Sequence, residues 1–257
     1  MYNLLISLGV ALALLGAVLA AGFSPWAAPI PAILGLLVSN FLLTRRMMKK
    51  VQVLADRAQK ELTAAQSTMD SKQQKVRFDK AIEILKEGFQ YDKWQFLIAA
   101  ELHAQIGMLE YVRKDFAGAR PHLEKASGRG PTGARAKAML GCLHSGLIEG
   151  EKGQDEAKMR AAFEVAAKAG KKEPVLWATY AWCLDKLGKR DDALKVLARG
   201  VETNPSDDKL KGSMVALQNE KKFKMKPYGM EWYQFHLERP PMDMGPGGGR
   251  RVVFQRR

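Results

Sequence analysis

The sequence has little cysteine and none of the short motifs that mark common catalytic sites. Two cysteines in 257 residues cannot form a disulfide framework. The P-loop, HExxH, GxSxG and dinucleotide-binding glycine patterns are missing, and the four histidines lack metal-ligand spacing. We therefore expect a protein of a reducing compartment without enzymatic activity, cofactor or metal site.

Charged residues are absent from positions 1–44, which contain no Asp, Glu, Lys or Arg. Two apolar runs, 2–22 and 27–43, are separated by Phe-Ser-Pro-Trp, and each is about as long as a membrane-spanning helix. Pro29 and Pro31 suit the first turn of the second helix. Residues 1–44 are predicted to form a transmembrane hairpin. One alternative is a signal peptide cleaved after residues 18–20 and followed by a single span, which residues 1–5 disfavour because they carry no basic group. The other alternative is a soluble protein in which both apolar helices are buried.

Four basic residues follow the second run directly: Arg45, Arg46, Lys49 and Lys50. Basic residues beside a span are retained in the cytoplasm, and they attract anionic lipid. We expect a multi-pass protein of a bacterial-type inner (plasma) membrane, with most of the chain in the cytoplasm and these four side chains at the membrane surface.

The excess of positive charge, +14 in total, lies at the two ends of the hydrophilic part. Residues 45–60 carry six basic and one acidic group, residues 61–210 carry 25 and 22, and residues 211–257 carry ten and four. The balanced middle argues against a nucleic-acid-binding body.

Residues 45–61 are predicted to be a basic helical stem. Val51, Leu54, Ala58, Leu62 and Ala65 recur at spacings of three and four, which indicates a helix. Neither Gly nor Pro occurs between residues 45 and 62, so the helix is expected to continue from the second span.

Residues 174–207 contain a pattern of small and large apolar residues that predicts two closely crossing helices. Small side chains allow the two helices to approach closely, and large side chains fill the space around the crossing. Gly188 suits the turn between the helices, and a proline ends the second helix. The pattern resembles a tetratricopeptide (TPR) repeat at Trp177, Tyr180, Ala181, Leu184, Ala193, Leu197, Gly200 and Pro205.

The resemblance extends more weakly to residues 100–133 and to 134–173, where 149–155 reads as an inserted loop. A fourth unit would take residues 62–75 as its leading helix. The fold class implied is all-α: a transmembrane hairpin followed by a TPR-like α-solenoid over 62–207, with a capping helix over 208–223.

The resemblance also implies a concave groove that receives a peptide or helix of a protein partner. Carried over position by position, the groove would be lined by Met108, Tyr111, Arg135, Cys142, Ser145, Val175, Trp182 and Asp185. A shift of register by one residue would place Trp182 in the core instead, and Cys142 and Cys183 read as small buried residues rather than a redox pair.

Residues 224–257 are predicted to be an aromatic and basic flexible tail. Four aromatic residues fall within 228–235. The stretch either forms a short docked piece of a disordered tail or packs against the solenoid or a partner. A third hypothesis has the terminal arginines bind acidic lipid or RNA: Arg250, Arg251, Arg256 and Arg257.

Together these patterns predict a membrane-anchored adaptor that recruits a protein partner to the cytoplasmic face of the membrane. One alternative is an integral subunit of a membrane complex, whose hairpin packs on other spans through Gly9, Gly16 and Gly35. Another is a membrane-tethered protein that binds RNA or anionic lipid.

Overall fold

The computed structural model describes residues 2–22, 24–68, 70–94, 98–151 and 153–241. Within these ranges the chain forms eleven α-helices and two short 3-10 helices, without β-strands. The expected all-α class is thereby confirmed. The chain divides into two compact units, residues 1–109 with 125–127 and residues 110–124 with 128–257.

The first unit begins with a helical hairpin of α1 (Tyr2–Ala20) and α2 (Pro29–Gln66). Pro29 is the first residue of α2, where its missing N–H leaves no hydrogen bond unmade. Helix α2 runs without interruption for 38 residues, so the expected continuity between the second apolar run and the stem is found. The two helices pack closely at Gly35, whose Cα faces Leu14 and Val10 of α1.

The second half of α2 contributes to the core of the first unit. It packs against α3 (Ser71–Glu87), which continues into a 3-10 helix (Gly88–Tyr91), and α4 (Ile98–Val112) follows. The buried apolar cluster comprises Met47, Leu54, Ala58, Ala81, Ile82, Ile84, Leu85, Ile98, Leu102 and Ile106.

The sequence-based helix over residues 62–75 is wrong, because the chain turns within it. Helix α2 ends at Gln66, and the Asp70 side chain accepts a hydrogen bond of 2.9 Å from the Lys72 backbone N–H. An N-cap of this kind starts a new helix by pairing an N–H that has no partner within the helix.

The second unit contains α5 (Phe116–Lys125) and two antiparallel pairs, α6 (Gly130–Ser145) with α7 (Glu156–Ala169) and α8 (Pro174–Lys186) with α9 (Arg190–Thr203). The α8–α9 turn passes through Gly188 at φ 75°, a backbone conformation that glycine adopts without strain. Residues 146–155 connect α6 to α7 and include the loop expected at 149–155.

Glycines allow the helices of each pair to approach closely. A Cβ at Gly200 of α9 would lie 2.9 Å from Trp177 Cβ of α8, and one at Gly141 of α6 would lie 2.7 Å from the Phe163 ring of α7. The Phe163 ring in turn stacks on Tyr180 of α8 at 4.9 Å between centroids, which joins one pair to the next.

Helix α10 (Asp208–Gln218) packs on α9 and α8, and the Asp207 carboxylate caps it through the Leu210 N–H at 2.7 Å. The expected helix over 208–223 ends five residues early. Glu220 adopts φ 56°, and the Lys221 N–H returns to the Ala216 carbonyl at 2.9 Å, an ending that satisfies a terminal helix carbonyl.

The part of the predicted flexible tail that the structure describes, residues 224–241, is folded instead. It forms a 3-10 helix (Lys226–Tyr228) and α11 (Met230–Tyr233), which packs on α8. The Trp232 side chain is fully buried and Phe235 nearly so, because large aromatic surfaces favour burial over solvent. Arg250, Arg251, Arg256 and Arg257 lie outside the described residues.

Candidate functional site

The hairpin of α1 and α2 exposes an apolar surface. Both helices are long and apolar enough to cross a membrane. In the most apolar 18-residue stretch of each helix, only 17% of α1 and 11% of α2 is buried within the structure. Large apolar side chains that face outward are Leu4, Leu5, Ile6, Leu8, Val10, Leu12, Leu19, Ile30, Ile33, Leu34, Leu37, Val38, Phe41 and Leu42. A large exposed apolar surface of this kind marks a site of contact with another protein or with a membrane.

Aromatic residues lie at both ends of this apolar surface. Trp26, in the turn between the helices, is 91% exposed. At the other end the Tyr2 and Trp94 rings meet edge to face, 5.5 Å between centroids. The Tyr2 and Asn3 N–H groups donate to the Lys93 and Trp94 carbonyls at 2.9 and 3.4 Å, which pairs two amides that have no partner within α1.

The basic residues expected at a membrane surface lie in α2, near the start of the antiparallel α1. Arg45, Arg46, Lys49 and Lys50 are all exposed. The Lys50 ammonium sits 5.5 Å from the centroid of the Tyr91 ring, within cation–π distance. Aromatic rings and basic groups therefore occur together at one end of the apolar surface, a combination typical of a membrane interface.

The three glycines of the apolar runs have different surroundings. A side chain at Gly35 would collide with Leu14, whereas nothing lies within 4 Å of a Cβ built at Gly9 or Gly16. Gly35 therefore serves contact within the hairpin, and the other two glycines are open.

In the second unit, residues 225–239, here called the tail segment, cover a face formed by Tyr111, Arg135 and Trp182, here called the docking face. The Trp232 and Trp182 rings meet edge to face at 5.0 Å between centroids. The Trp232 indole N–H donates to Glu238 Oε2 at 2.9 Å, within the tail segment itself. The Trp182 indole N–H is buried and has no hydrogen-bond partner among the described residues.

Tyr111 ties the backbone of the tail segment to the docking face. Its hydroxyl donates to the Phe235 carbonyl oxygen at 2.6 Å, and burial raises the pKa of this tyrosine well above its usual value. The neighbouring His236 ring lies 5.6 Å from the Tyr111 ring, and its Nε2–H donates to the Val112 carbonyl at 3.1 Å. Burial lowers the pKa of His236, so the neutral ring is favoured.

Ion pairs flank the buried contacts of the tail segment. The Arg135 guanidinium reaches Glu173 at 2.9 Å and Glu231 of α11 at 3.5 Å. Burial lowers the pKa of Arg135, and the two carboxylates outweigh it and raise the pKa overall. Arg239 Nη2 donates to both carboxylate oxygens of Glu149, at 2.6 and 2.7 Å, but both side chains are exposed, so water screens the pair.

The residues predicted to line an open groove do not form one open surface. Tyr111, Arg135 and Trp182 contact the tail segment, and Tyr111 and Trp182 are buried. Cys142, Ser145 and Val175 are buried as well. Asp185 pairs with Arg190 at 3.9 Å, and Met108 is half-buried on α4 in the first unit.

Cys142 and Ser145 are interior because α6 is enclosed on most sides. The Ser145 hydroxyl donates to the Cys142 carbonyl at 2.7 Å, and burial, with Cys183 nearby, raises the pKa of the Cys142 thiol well above its usual value. In this structure these positions therefore lie inside the helix packing and not on the open surface that the family template implied.

Sequence reasoning left the role of the tail segment open between a disordered tail and a packed one. The signal in favour of packing was the density of aromatic residues over 228–235, with the hydrophobic Leu237 beyond it. What the sequence could not reveal is that this segment lies on the face assigned to a partner.

Nowhere in the described ranges do three or more His, Cys, Asp or Glu side chains come together as metal ligands. Comparisons with protein-family models, with curated proteins and with solved structures return no match to this chain.

Proposed function

We propose that this chain is a membrane-anchored helical scaffold that holds a protein partner at the cytoplasmic face of an inner membrane. The observation that carries the proposal is the continuity of α2, which is apolar and exposed in its first half and packed into a folded core in its second. At about 1.5 Å per residue, its 38 residues extend roughly 57 Å, more than a hydrocarbon core of about 30 Å. One helix would thus anchor the body and lift it from the lipid.

The interface features of the hairpin support the orientation. Tyr2, Tyr91 and Trp94 gather at the end where Lys50 and its basic neighbours are exposed, and within the described residues Arg45, Arg46 and Lys49 form no ion pair. Such groups are free to contact lipid phosphates, and basic flanks are retained on the cytoplasmic side. The bulk of the chain would then face the cytoplasm.

We further propose that the α6–α7 and α8–α9 pairs are TPR-like repeats. Helices α8 and α10 begin 34 residues apart, the period of that family, and Gly200 meets Trp177 where the template has its small and large residues. Helix α6 begins 44 residues before α8, which is longer than the 34-residue period, and the longer loop over 146–155 accounts for the extra residues. Repeats of this class act as binding surfaces for other proteins, which supports a scaffold.

The anchor is tested with the full chain in its native membrane. Alkaline carbonate should leave the protein in the pellet, and a reporter fused after Arg257 should be active on the cytoplasmic side. Release by carbonate, or a reporter active on the opposite side, would contradict the proposal. A variant with Arg45, Arg46, Lys49 and Lys50 all changed to Gln provides a comparison, because it should weaken the orientation without altering the apolar helices.

The scaffold role is tested by exchanging the anchor. The tagged full chain is cross-linked in membranes and purified beside a version in which residues 1–28 are replaced by an unrelated membrane span. Partner recovery that survives the exchange assigns binding to the body, whereas recovery of nothing specific with either version would refute the scaffold.

A second candidate, an integral subunit of a membrane complex, is favoured by the open surfaces at Gly9 and Gly16. Small residues on a span permit another helix to approach. In that case the exchanged anchor should lose the partner, while the wild-type hairpin retains it.

A further inference from the structure

We infer that the tail segment is an intramolecular ligand of the docking face, and that the partner presents an aromatic, acidic helical turn which displaces it. The inference rests on the proposed scaffold function and specifies the partner's chemistry. The tail segment has the composition of such a ligand: Glu231 and Trp232 are adjacent on α11, and Phe235 follows three residues later.

The contacts of the tail segment are those of a bound peptide on a surface. Trp232 is fully buried and meets Trp182, and the backbone carbonyl of Phe235 accepts from the Tyr111 hydroxyl. The other buried side chains of the tail segment are Met225, Tyr228, Tyr233, Phe235 and Leu237. A charged pair at the rim, Glu231 with Arg135, completes the set. Aromatic and arginine anchors surrounded by weaker polar contacts are the usual composition of a binding hot spot.

The attachment of the tail segment also suits a ligand held in place by the chain. Residues 219–222 between α10 and the tail segment are exposed, and Met230 on the outer side of α11 is 55% exposed. Only one side of the short helix is therefore buried, and a brief exposed connection joins it to the body.

One feature of the docking face is left unsatisfied by the tail segment. The Trp182 residue is only 4% exposed, and its buried indole N–H finds no acceptor in the described part of the chain, whereas the Trp232 indole N–H is paired with Glu238. Nearly all buried donors in folded proteins are hydrogen-bonded. A ligand that places a carbonyl or carboxylate oxygen against Trp182 Nε1 would make a bond that the tail segment does not.

This missing bond makes displacement feasible. A short tether gives the tail segment an effective concentration on the order of 1 mM, so a free peptide with identical contacts competes only near that concentration. Supplying the acceptor to a buried N–H would strengthen binding by roughly 5- to 150-fold. A partner with that acceptor would compete at about 10–200 μM or below, and further contacts would lower this value.

The test uses the full chain in detergent or lipid nanodiscs and a fluorescent synthetic peptide of residues 226–240. Trp232→Ala removes the anchor of the resident segment and should expose the docking face. We expect the peptide to bind this variant at least tenfold more tightly than the wild type. Met230→Ala is the matched control, because it alters the exposed side of the same helix and should behave as the wild type does. A peptide with Trp232 replaced by Ala should bind neither.

Failure of the peptide to bind a folded Trp232→Ala chain at 500 μM would overturn the inference, because the segment would then be a fixed part of the core. If this variant does not fold, a protease site inserted between Glu220 and Lys221 replaces it. Loss of the cleaved segment on dilution from a still-helical body supports the inference, and its permanent retention, or collapse of the body without it, overturns it.

Three further outcomes distinguish the docking inference from the scaffold function. A wild-type chain that exchanges its tail segment with a second copy to form dimers would overturn a foreign partner as the occupant. Peptide binding to the Trp232→Ala chain without any partner in the membrane cross-linking experiment would leave the inference about the docking face intact and refute the scaffold. A partner captured equally by the wild type and this variant would refute the inference alone.

Discussion

A leucine at Gly200 should destabilise the second unit by about 2 kcal/mol, because it blocks the crossing of α8 and α9. A Cβ there would lie 2.9 Å from Trp177 Cβ and 3.0 Å from Trp177 Cγ. These atoms are fixed close to the backbone of α8 and cannot swing away. Overpacking of this kind costs about 3 kcal/mol, at the upper end of the usual range. The better helix propensity of leucine over glycine returns about 0.8 kcal/mol.

Thermal unfolding followed by circular dichroism at 222 nm, in detergent, measures the effect. A loss of about 2 kcal/mol corresponds to a fall in Tm of roughly 4–8 °C for a unit of this size. Gly212→Leu is the matched control, because nothing lies within 4 Å of a Cβ at this exposed position in α10, and it should leave Tm unchanged or raise it. Equal melting temperatures for the two variants would show that α8 and α9 do not cross at Gly200.

Three further predictions concern the tail segment and the hairpin. Burial lowers the pKa of His236, so the folded form holds fewer protons than the unfolded form. The contribution of the neutral His236 ring to the stability of tail docking should be present above about pH 6.5 and be lost as the pH falls below it. His236→Gln should remove this part of the pH dependence in a protease-accessibility assay of the tail segment. Tyr111→Phe leaves the buried Phe235 carbonyl unpaired and should weaken tail docking by about 1–3 kcal/mol in hydrogen exchange, and an unchanged exchange rate would contradict the 2.6 Å bond. Gly35→Ile should disrupt the hairpin by collision with Leu14, reducing cross-linking between α1 and α2, while Gly9→Ile should leave that cross-linking intact.

Periodicity and local residue chemistry predicted much of the helical organisation. The uncharged start, Pro29 at the beginning of α2 and the lack of Gly or Pro after Arg45 together indicated one long helix, and α2 has this form. Gly188 likewise indicated the turn between α8 and α9. These features depend on neighbouring residues within one helix or turn, so the sequence contains the information needed to predict them.

Predictions failed where a short local signal competed with a pattern. The repeat template placed the leading helix of a fourth unit over residues 62–75, across the position where Asp70 caps a new helix. The cap prevailed because it pairs backbone groups directly. The expected cap helix over 208–223 ended at Gln218 for a similar reason, since the left-handed Glu220 lets the chain turn back.

The candidate site was the part that the sequence determined least. A family template placed Cys142, Ser145 and Val175 on an open surface, but the packing of α6 and α8 enclosed them. Burial depends on every element that packs around a residue, and a template register does not contain those elements.

By itself the sequence determined an all-helical chain with an uncharged, membrane-length beginning, a basic stem and helix pairs built around small residues, because each of these follows from composition and from spacing along one element. Only the tertiary structure decided that the aromatic segment covers Tyr111 and Trp182, and that the Trp182 indole N–H is left without a partner there. Contacts between residues so far apart in the sequence arise from the shape of the assembled helices, and no local pattern in the sequence specifies that shape.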